Sequence, residues 1–124
     1  RDITIVANLL MWYKAMEAAE ELEKEGISCE IIDPRSLVPF DYETVLESLR
    51  KTGKLMIVHE DHYNGGWGAQ LASYVAEHAI TLLDAPIVRV AAPDCPIPFS
   101  PSLENYVIPS AQRIAEEARK LARL

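Results

Sequence analysis

The sequence predicts an α/β fold, a three-layer α/β/α sandwich with a mostly parallel (mixed) sheet of about five strands. Short apolar runs rich in Val and Ile recur along the chain, as in strands that are buried on both faces. Segments with apolar residues at helical spacing separate these runs. Glycine and proline mark the boundaries between the two kinds of segment. This alternation is typical of a parallel sheet covered by helices on both sides.

Four strands are predicted from apolar runs of suitable length, at residues 3–7, 28–33, 54–59 and 87–91. The second run stops at Asp33, because Pro34 drives the residue before it out of helical geometry. The fourth run follows Asp84 and Pro86.

Four amphipathic helices are predicted between and after the strands. Their inner faces are Trp12, Ala15, Met16, Ala19 and Leu22; Val45, Leu46 and Leu49; Ala69, Ala72, Val75, Ala76, Ala79, Ile80 and Leu83; and Ala111, Ile114, Ala115, Ala118, Leu121 and Ala122. Asp41 and Ser110 are the predicted N-caps of the second and fourth helices. Gly26 and Gly53 follow the first two helices, where a left-handed residue commonly closes a helix.

Length and charge indicate one domain, residues 1–124, with a basic partner. The net charge of −7 disfavours nucleic acid or an anionic membrane surface as the partner. No apolar run approaches the ~20 residues that a membrane span needs. The chain starts at Arg1 rather than Met, so we expect a fragment of a longer protein or a processed product.

The two cysteines, Cys29 and Cys95, are too few for a disulfide framework, and neither belongs to a C-x-x-C pair. Cys29 lies inside a predicted strand, which favours a buried, inert thiol. Together they indicate a reducing compartment, so we expect the cytoplasm, or the mitochondrial matrix if the source is eukaryotic.

A proline-rich loop follows the fourth strand, at Pro93, Pro96, Pro98 and Pro101. Proline fixes φ and removes a backbone donor, so this loop is expected to be stiff and non-helical. We interpret this loop, together with Asp84 before the fourth strand, as a surface that contacts a partner.

The end of the third strand carries the polar run His59, Glu60, Asp61 and His62, where open α/β sheets place their sites. The two histidines are three residues apart and no helix begins there, so the run is not an H-E-x-x-H zinc motif. We interpret it as a polar loop at the strand end.

A glycine-rich segment, Gly65, Gly66, Trp67 and Gly68, precedes the third helix. Backbone N–H groups at a helix start could hold an anion. A tight turn that lets the helix approach the sheet is the preferred interpretation. The residues alone show no nucleophilic or metal motif, so they predict no catalytic, cofactor-binding or metal-binding residue.

Several motifs together resemble a known family. They are Ile-Ile-Asp-Pro-Arg-Ser-Leu-Val-Pro-Phe-Asp at 31–41, Lys-Thr-Gly-Lys-Leu at 51–55, Val-His-Glu at 58–60, Gly-Gly-Trp-Gly-Ala at 65–69, Leu-Asp-Ala-Pro-Ile-Val-Arg-Val at 83–90, and Pro93, Asp94, Pro96 and Pro98 with Leu103, Glu104 and Pro109. This set resembles the transketolase C-terminal-like domain of beta subunits of thiamine-diphosphate-dependent 2-oxo acid dehydrogenases, of the pyruvate, acetoin and branched-chain types.

The resemblance implies a domain for assembly rather than chemistry. Thiamine diphosphate and Mg would be bound in the full enzyme by domains absent here, including the preceding pyrimidine-binding domain, and the isolated domain would be inactive. Its partners would be a second beta subunit, the alpha subunit, and the peripheral subunit-binding domain of the dihydrolipoyl acyltransferase. The resemblance implies that Asp84 and the carboxylate of Leu124 receive basic side chains of that small domain.

The sequence also departs from the family pattern. Residues 8–12 lack the usual glycine and small polar residues, and Glu60 is followed by Asp61 and His62 instead of Ala-Pro. We nevertheless name an interface or anion loop here, formed by His59, Glu60, Gly65, Gly66, Trp67 and Gly68. The alternatives are an acetoin dehydrogenase beta subunit domain, a domain of the transketolase or deoxyxylulose-phosphate synthase type, and a stand-alone anion-binding module.

Overall fold

The computed structural model describes residues 2–7, 9–33, 42–62, 67–92 and 110–124, with only the backbone described at 9, 10, 59–62, 67, 91 and 92. In chain order, the elements are β1 (Ile3–Ala7), α1 (Leu9–Lys24), β2 (Cys29–Ile32), α2 (Tyr42–Thr52), β3 (Leu55–His62), α3 (Trp67–His78), a 3₁₀ turn (Ile80–Leu82), β4 (Val88–Ala92) and α4 (Ala111–Ala122). The predicted cap Asp41, the proline loop and Cys95 lie outside these residues.

The described strands form one sheet in the order β2-β1-β3-β4. All three pairings are parallel. In β1, Ile5 faces Ile31 of β2 on one side and Met56 of β3 on the other. Consecutive parallel strands need a crossover connection, which the helices provide. The predicted α/β class and the mostly parallel sheet are confirmed.

Central strand β1 is completely buried, and its side chains alternate between two apolar layers. Ile3, Ile5 and Ala7 pack in the layer that contains α1 and α4. Val6 packs in the layer that contains α2 and α3. Helices therefore cover both faces of the sheet, as the sequence predicts.

The helix α4 follows its predicted inner face, with Ile114, Ala115, Ala118 and Leu121 buried. Its predicted cap is also confirmed, because the Ser110 hydroxyl accepts a hydrogen bond from Arg113 N at 3.1 Å.

The predicted inner faces of α1 and α3 are partly wrong. In α1 the buried residues are Met11, Ala15, Ala18 and Leu22. Met16, predicted to be inside, is 38% exposed. In α3 and the turn after it, Leu71, Val75 and Ala79 are buried, whereas the predicted Ala76 and Ile80 are exposed. In both helices the apolar residues cover an arc wider than the stripe that contacts the sheet. The sequence therefore predicts the helical spacing but not which side of the helix is buried.

An ion pair joins the turn after α1 to α4. Arg119 Nε donates to Glu25 Oε1 and Oε2 at 2.8 and 2.9 Å, and Arg119 Nη2 lies 2.7 Å from Glu25 Oε2. This bidentate geometry is the strong form of a carboxylate–guanidinium contact. Hydrogen bonding from Arg119 lowers the pKa of the Glu25 carboxyl.

We expect Ile5→Ala to lower the free energy of unfolding by about 2–5 kcal/mol, because it opens a cavity where the side chain is fully buried. Ile80→Ala is the matched control: Ile80 is 60% exposed, and its truncation should change stability by no more than about 0.5 kcal/mol. Urea unfolding followed by circular dichroism measures both. Equal losses in the two variants would contradict the assigned core.

We expect the stability contributed by Glu25 to depend on pH. Its folded-state pKa is lowered, so the contribution is present above the unfolded pKa of about 4.3 and is lost as the pH falls through the lower folded value. Thermal unfolding should show Glu25→Gln less stable than the unmodified chain at pH 7, with the difference closing in acid. Glu47→Gln removes one charge from an exposed position of α2 and should show no comparable closing. A Glu25→Gln difference that is constant from pH 7 to 2 would contradict the ion pair.

Candidate functional site

The turn between α2 and β3 consists of Gly53 and Lys54, and is called here the Gly53–Lys54 turn. Gly53 has a φ of +72°, which a residue with a side chain rarely adopts. Its N–H donates to the Leu49 carbonyl at 2.8 Å, which closes the helix. The predicted glycine caps are thus confirmed here and at Gly26, where φ is +82°.

Asp84 lies directly against Gly53. Its backbone N–H donates to the Gly53 carbonyl at 2.7 Å. Its carboxylate occupies the space where any other residue would place a Cβ: a Cβ built on Gly53 would be 2.8 Å from Asp84 Cγ, and closer still to Oδ2. Both the main chain and the side chain of Asp84 are therefore placed by one glycine.

The Asp84 carboxylate is available to a partner. The residue is exposed. Among the described residues, none of the ion pairs includes it. A carboxylate in this state can accept a bidentate pair of hydrogen bonds from an incoming guanidinium.

The end of α4 contacts the same turn through Lys54. The Lys54 ammonium donates to the carbonyl of Ala122 at 2.9 Å and to that of Leu124 at 3.0 Å. A cation at this position also compensates the negative end of the helix dipole. Leu124 itself is 68% exposed. The two residues implicated in docking by the family resemblance, Asp84 and Leu124, therefore contact consecutive residues of one turn.

A buried hydroxyl cluster supports the turn from below. Thr4 Oγ1 lies 2.6 Å from Ser48 Oγ and 2.8 Å from Thr52 Oγ1. Thr52 Oγ1 also donates to the Lys54 carbonyl at 3.3 Å and accepts from Lys54 N at 3.4 Å. A buried polar group without a partner is costly, so the three hydroxyls fix one another and the turn above them.

This hydroxyl cluster is not among the features predicted from the sequence. A signal is present: Thr4 interrupts an aliphatic strand, and Ser48 and Thr52 are four residues apart on the face that Val45 and Leu49 mark as internal.

The turn lies at the edge of the sheet where strands begin. Lys54 immediately precedes β3, and Asp84 lies in the connection that leads into β4. Open α/β sheets bind small ligands at the opposite edge, outside the carboxyl ends of the strands. The position of the turn fits a contact with a macromolecule better than a small-molecule site.

The polar run from His59 to His62 lies at the carboxyl edge of the sheet, and its prediction as a loop is wrong. β3 runs to His62 instead of ending at His59, so His59, Glu60, Asp61 and His62 belong to the strand and not to a loop after it. Strand pairing uses the backbone and tolerates polar side chains, and His62 pairs with Ala92 beyond a register shift.

The glycine-rich segment is only partly described. Trp67 is the first residue of α3, and Gly68 is buried within that helix. Gly65 and Gly66 lie outside the described residues. Where side chains are described, no cluster of three or more His, Cys, Asp or Glu residues could hold a metal ion.

Cys29 lies on β2, at the edge of the described sheet, and is half-buried. Burial, with a smaller contribution from Asp2, raises the pKa of its thiol to about 11. The thiol is therefore protonated at neutral pH and poorly nucleophilic, as the sequence predicts.

Across the described part of the chain, no helix has the length and apolar character needed to cross a membrane.

Comparison with known proteins assigns the family. The family model described as transketolase, C-terminal domain, matches residues 1–114. The beta subunit of acetoin:2,6-dichlorophenolindophenol oxidoreductase from Cupriavidus necator is 46% identical over 120 residues, which are 97% of this chain and 36% of that protein. The mitochondrial pyruvate dehydrogenase E1 component subunit beta of Dictyostelium discoideum is 42% identical over 121 residues, 98% of this chain and 34% of that protein. The 2-oxoisovalerate dehydrogenase subunit beta of Bacillus subtilis is 39% identical over 122 residues, 98% of this chain and 37% of that protein.

A solved structure has the same fold. It is described as a split-gene transketolase in an inactive beta4 tetramer, and it superimposes with a TM-score of 0.84 at 34% identity, over 99% of this chain and 39% of that one. The chain thus spans about a third of the length of these curated relatives. It is similar to beta subunits of pyruvate, acetoin and branched-chain 2-oxo acid enzymes and belongs to the transketolase C-terminal domain family.

Proposed function

We propose that this chain is the C-terminal domain of a beta subunit of a thiamine-diphosphate-dependent 2-oxo acid dehydrogenase. In this proposal its function is subunit assembly and docking of the decarboxylating component onto the peripheral subunit-binding domain of the dihydrolipoyl acyltransferase. One observation carries the docking part: Asp84 and the end of α4 both contact the Gly53–Lys54 turn. Two residues far apart in sequence thereby contact consecutive residues of one turn.

The chemistry of the turn favours a basic partner. An exposed carboxylate without an ion pair among the described residues is a ready acceptor for arginine. The net charge of −7 adds a long-range attraction that speeds the encounter with a basic domain. We therefore assign Asp84 to the direct contact, and Leu124, at the end of α4, to a second contact.

Under this proposal, other domains of the enzyme bind the coenzyme. Thiamine diphosphate and Mg would be held between the pyrimidine-binding domain of the beta subunit and a domain of the alpha subunit. This domain would supply no catalytic residue and would contact a second beta subunit and the alpha subunit. The substrate class is a 2-oxo acid or acetoin, since the names of the curated relatives include pyruvate, acetoin and 2-oxoisovalerate enzymes.

We expect Asp84→Lys in the full subunit to abolish measurable binding of the subunit-binding domain in isothermal titration calorimetry, because it replaces an acceptor by a like charge. Asp84→Asn should weaken binding by about tenfold or more, since charge-assisted hydrogen bonds become neutral ones.

Glu77→Lys makes the same change of charge at an exposed position of α3. It lowers the overall attraction equally but leaves the Gly53–Lys54 turn intact, so its affinity should stay close to that of the unmodified subunit. If Asp84→Lys binds no worse than Glu77→Lys, the docking assignment is wrong.

A further inference from the structure

We propose that Gly53 is a positioning residue of the docking surface, which holds the Asp84 carboxylate in the orientation that the partner meets. This inference rests on the docking function proposed above and adds to it a residue that does not itself touch the partner.

The contact between the two residues is close on both the main chain and the side chain. The Asp84 N–H is bonded to the Gly53 carbonyl at 2.7 Å, and the Asp84 carboxylate rests over the Gly53 Cα. An exposed aspartate normally samples several rotamers, and ordering it on binding lowers affinity. Packing against Gly53 restricts the Asp84 side chain before the partner binds.

The turn is held so that it cannot easily move aside. The Thr52 hydroxyl is within hydrogen-bonding distance of Lys54 N and O, and Thr52 is bonded in turn to the buried Thr4. The Lys54 side chain adds a further restraint, because its ammonium donates to the carbonyl oxygens of Ala122 and Leu124. A side chain added at Gly53 would therefore displace the Asp84 carboxylate, because the backbone beneath it has little freedom to shift.

The chain contains a matched control for this effect. Gly26 also follows a helix and has a similar positive φ of +82°. A Cβ at Gly26 would meet nothing within 4 Å, whereas one at Gly53 would meet Asp84. The same substitution at the two positions thus imposes similar backbone strain, but only one of them disturbs the carboxylate.

The experiment uses Gly53→Asn and Gly26→Asn, because asparagine tolerates left-handed backbone geometry better than most residues and so favours a folded product. Each is made in the full subunit, with Asp84 present and with Asp84→Ala. Calorimetry with the subunit-binding domain of the acyltransferase from the same organism gives the affinities, and thermal unfolding gives the stabilities.

We expect a larger loss of stability in Gly53→Asn than in Gly26→Asn, because Gly53 is buried against Asp84 whereas Gly26 is exposed. Binding should weaken only in Gly53→Asn, by between about twofold and tenfold. With Asp84→Ala present, Gly53→Asn should cause no further weakening, since there is no carboxylate left to displace.

Two results would overturn the inference while leaving the docking function in place. One is equal weakening by Gly26→Asn and Gly53→Asn, which would mean that strain alone is responsible. The other is the same weakening by Gly53→Asn whether or not Asp84 is present. If Asp84→Ala itself leaves binding unchanged, the docking function fails, and the inference with it.

Discussion

The pairing of the Thr4 hydroxyl with Ser48 and Thr52 is the constraint on which the surface of this domain depends. Central strand β1 is completely buried, so its one hydroxyl must find partners inside the protein. It finds them on α2, at 2.6 and 2.8 Å. This fixes the position of the last turn of α2 against the sheet, and with it the backbone of Gly53 and Lys54. A requirement of the core thereby helps to determine where Asp84 and the end of α4 each contact the turn.

The fold could be predicted from sequence wherever polar residues delimit the apolar ones. In α4, charged residues such as Glu116 and Arg119 border the apolar stripe closely, and the inner face was predicted correctly. In α1, Met11 lies within the contact stripe and Met16 lies outside it, and only packing against the sheet decides which one is buried. The predicted end of β3 is too early for a different reason. The side chains at the end of this strand are polar, which suggests a loop, but the backbone continues to pair with β4.

The candidate site was harder to predict from the sequence than the fold. Asp84 and Leu124 were named from a family resemblance, and nothing in their spacing shows that they reach one turn. That contact is created by the parallel crossovers, which bring the start of β3, the entry to β4 and the end of α4 to one edge. Ser48 and Thr52 were missed because hydroxyl residues on a helix usually face solvent, and only the burial of Thr4 requires them inside.

The Gly53–Lys54 turn and the polar end of β3 lie at opposite edges of the parallel sheet. The carboxyl edge, where β3 ends with His59 to His62, is where sheets of this class bind ligands. The Gly53–Lys54 turn is at the amino edge, and its acceptors are placed by main-chain hydrogen bonds and by a glycine that leaves room for a carboxylate. A surface ordered in this way loses little entropy when a partner binds. If the proposed docking holds, its affinity would rest on a few charge-assisted contacts, whose strength falls as salt rises, and a basic domain would be exchanged without disturbing the core that supports the turn.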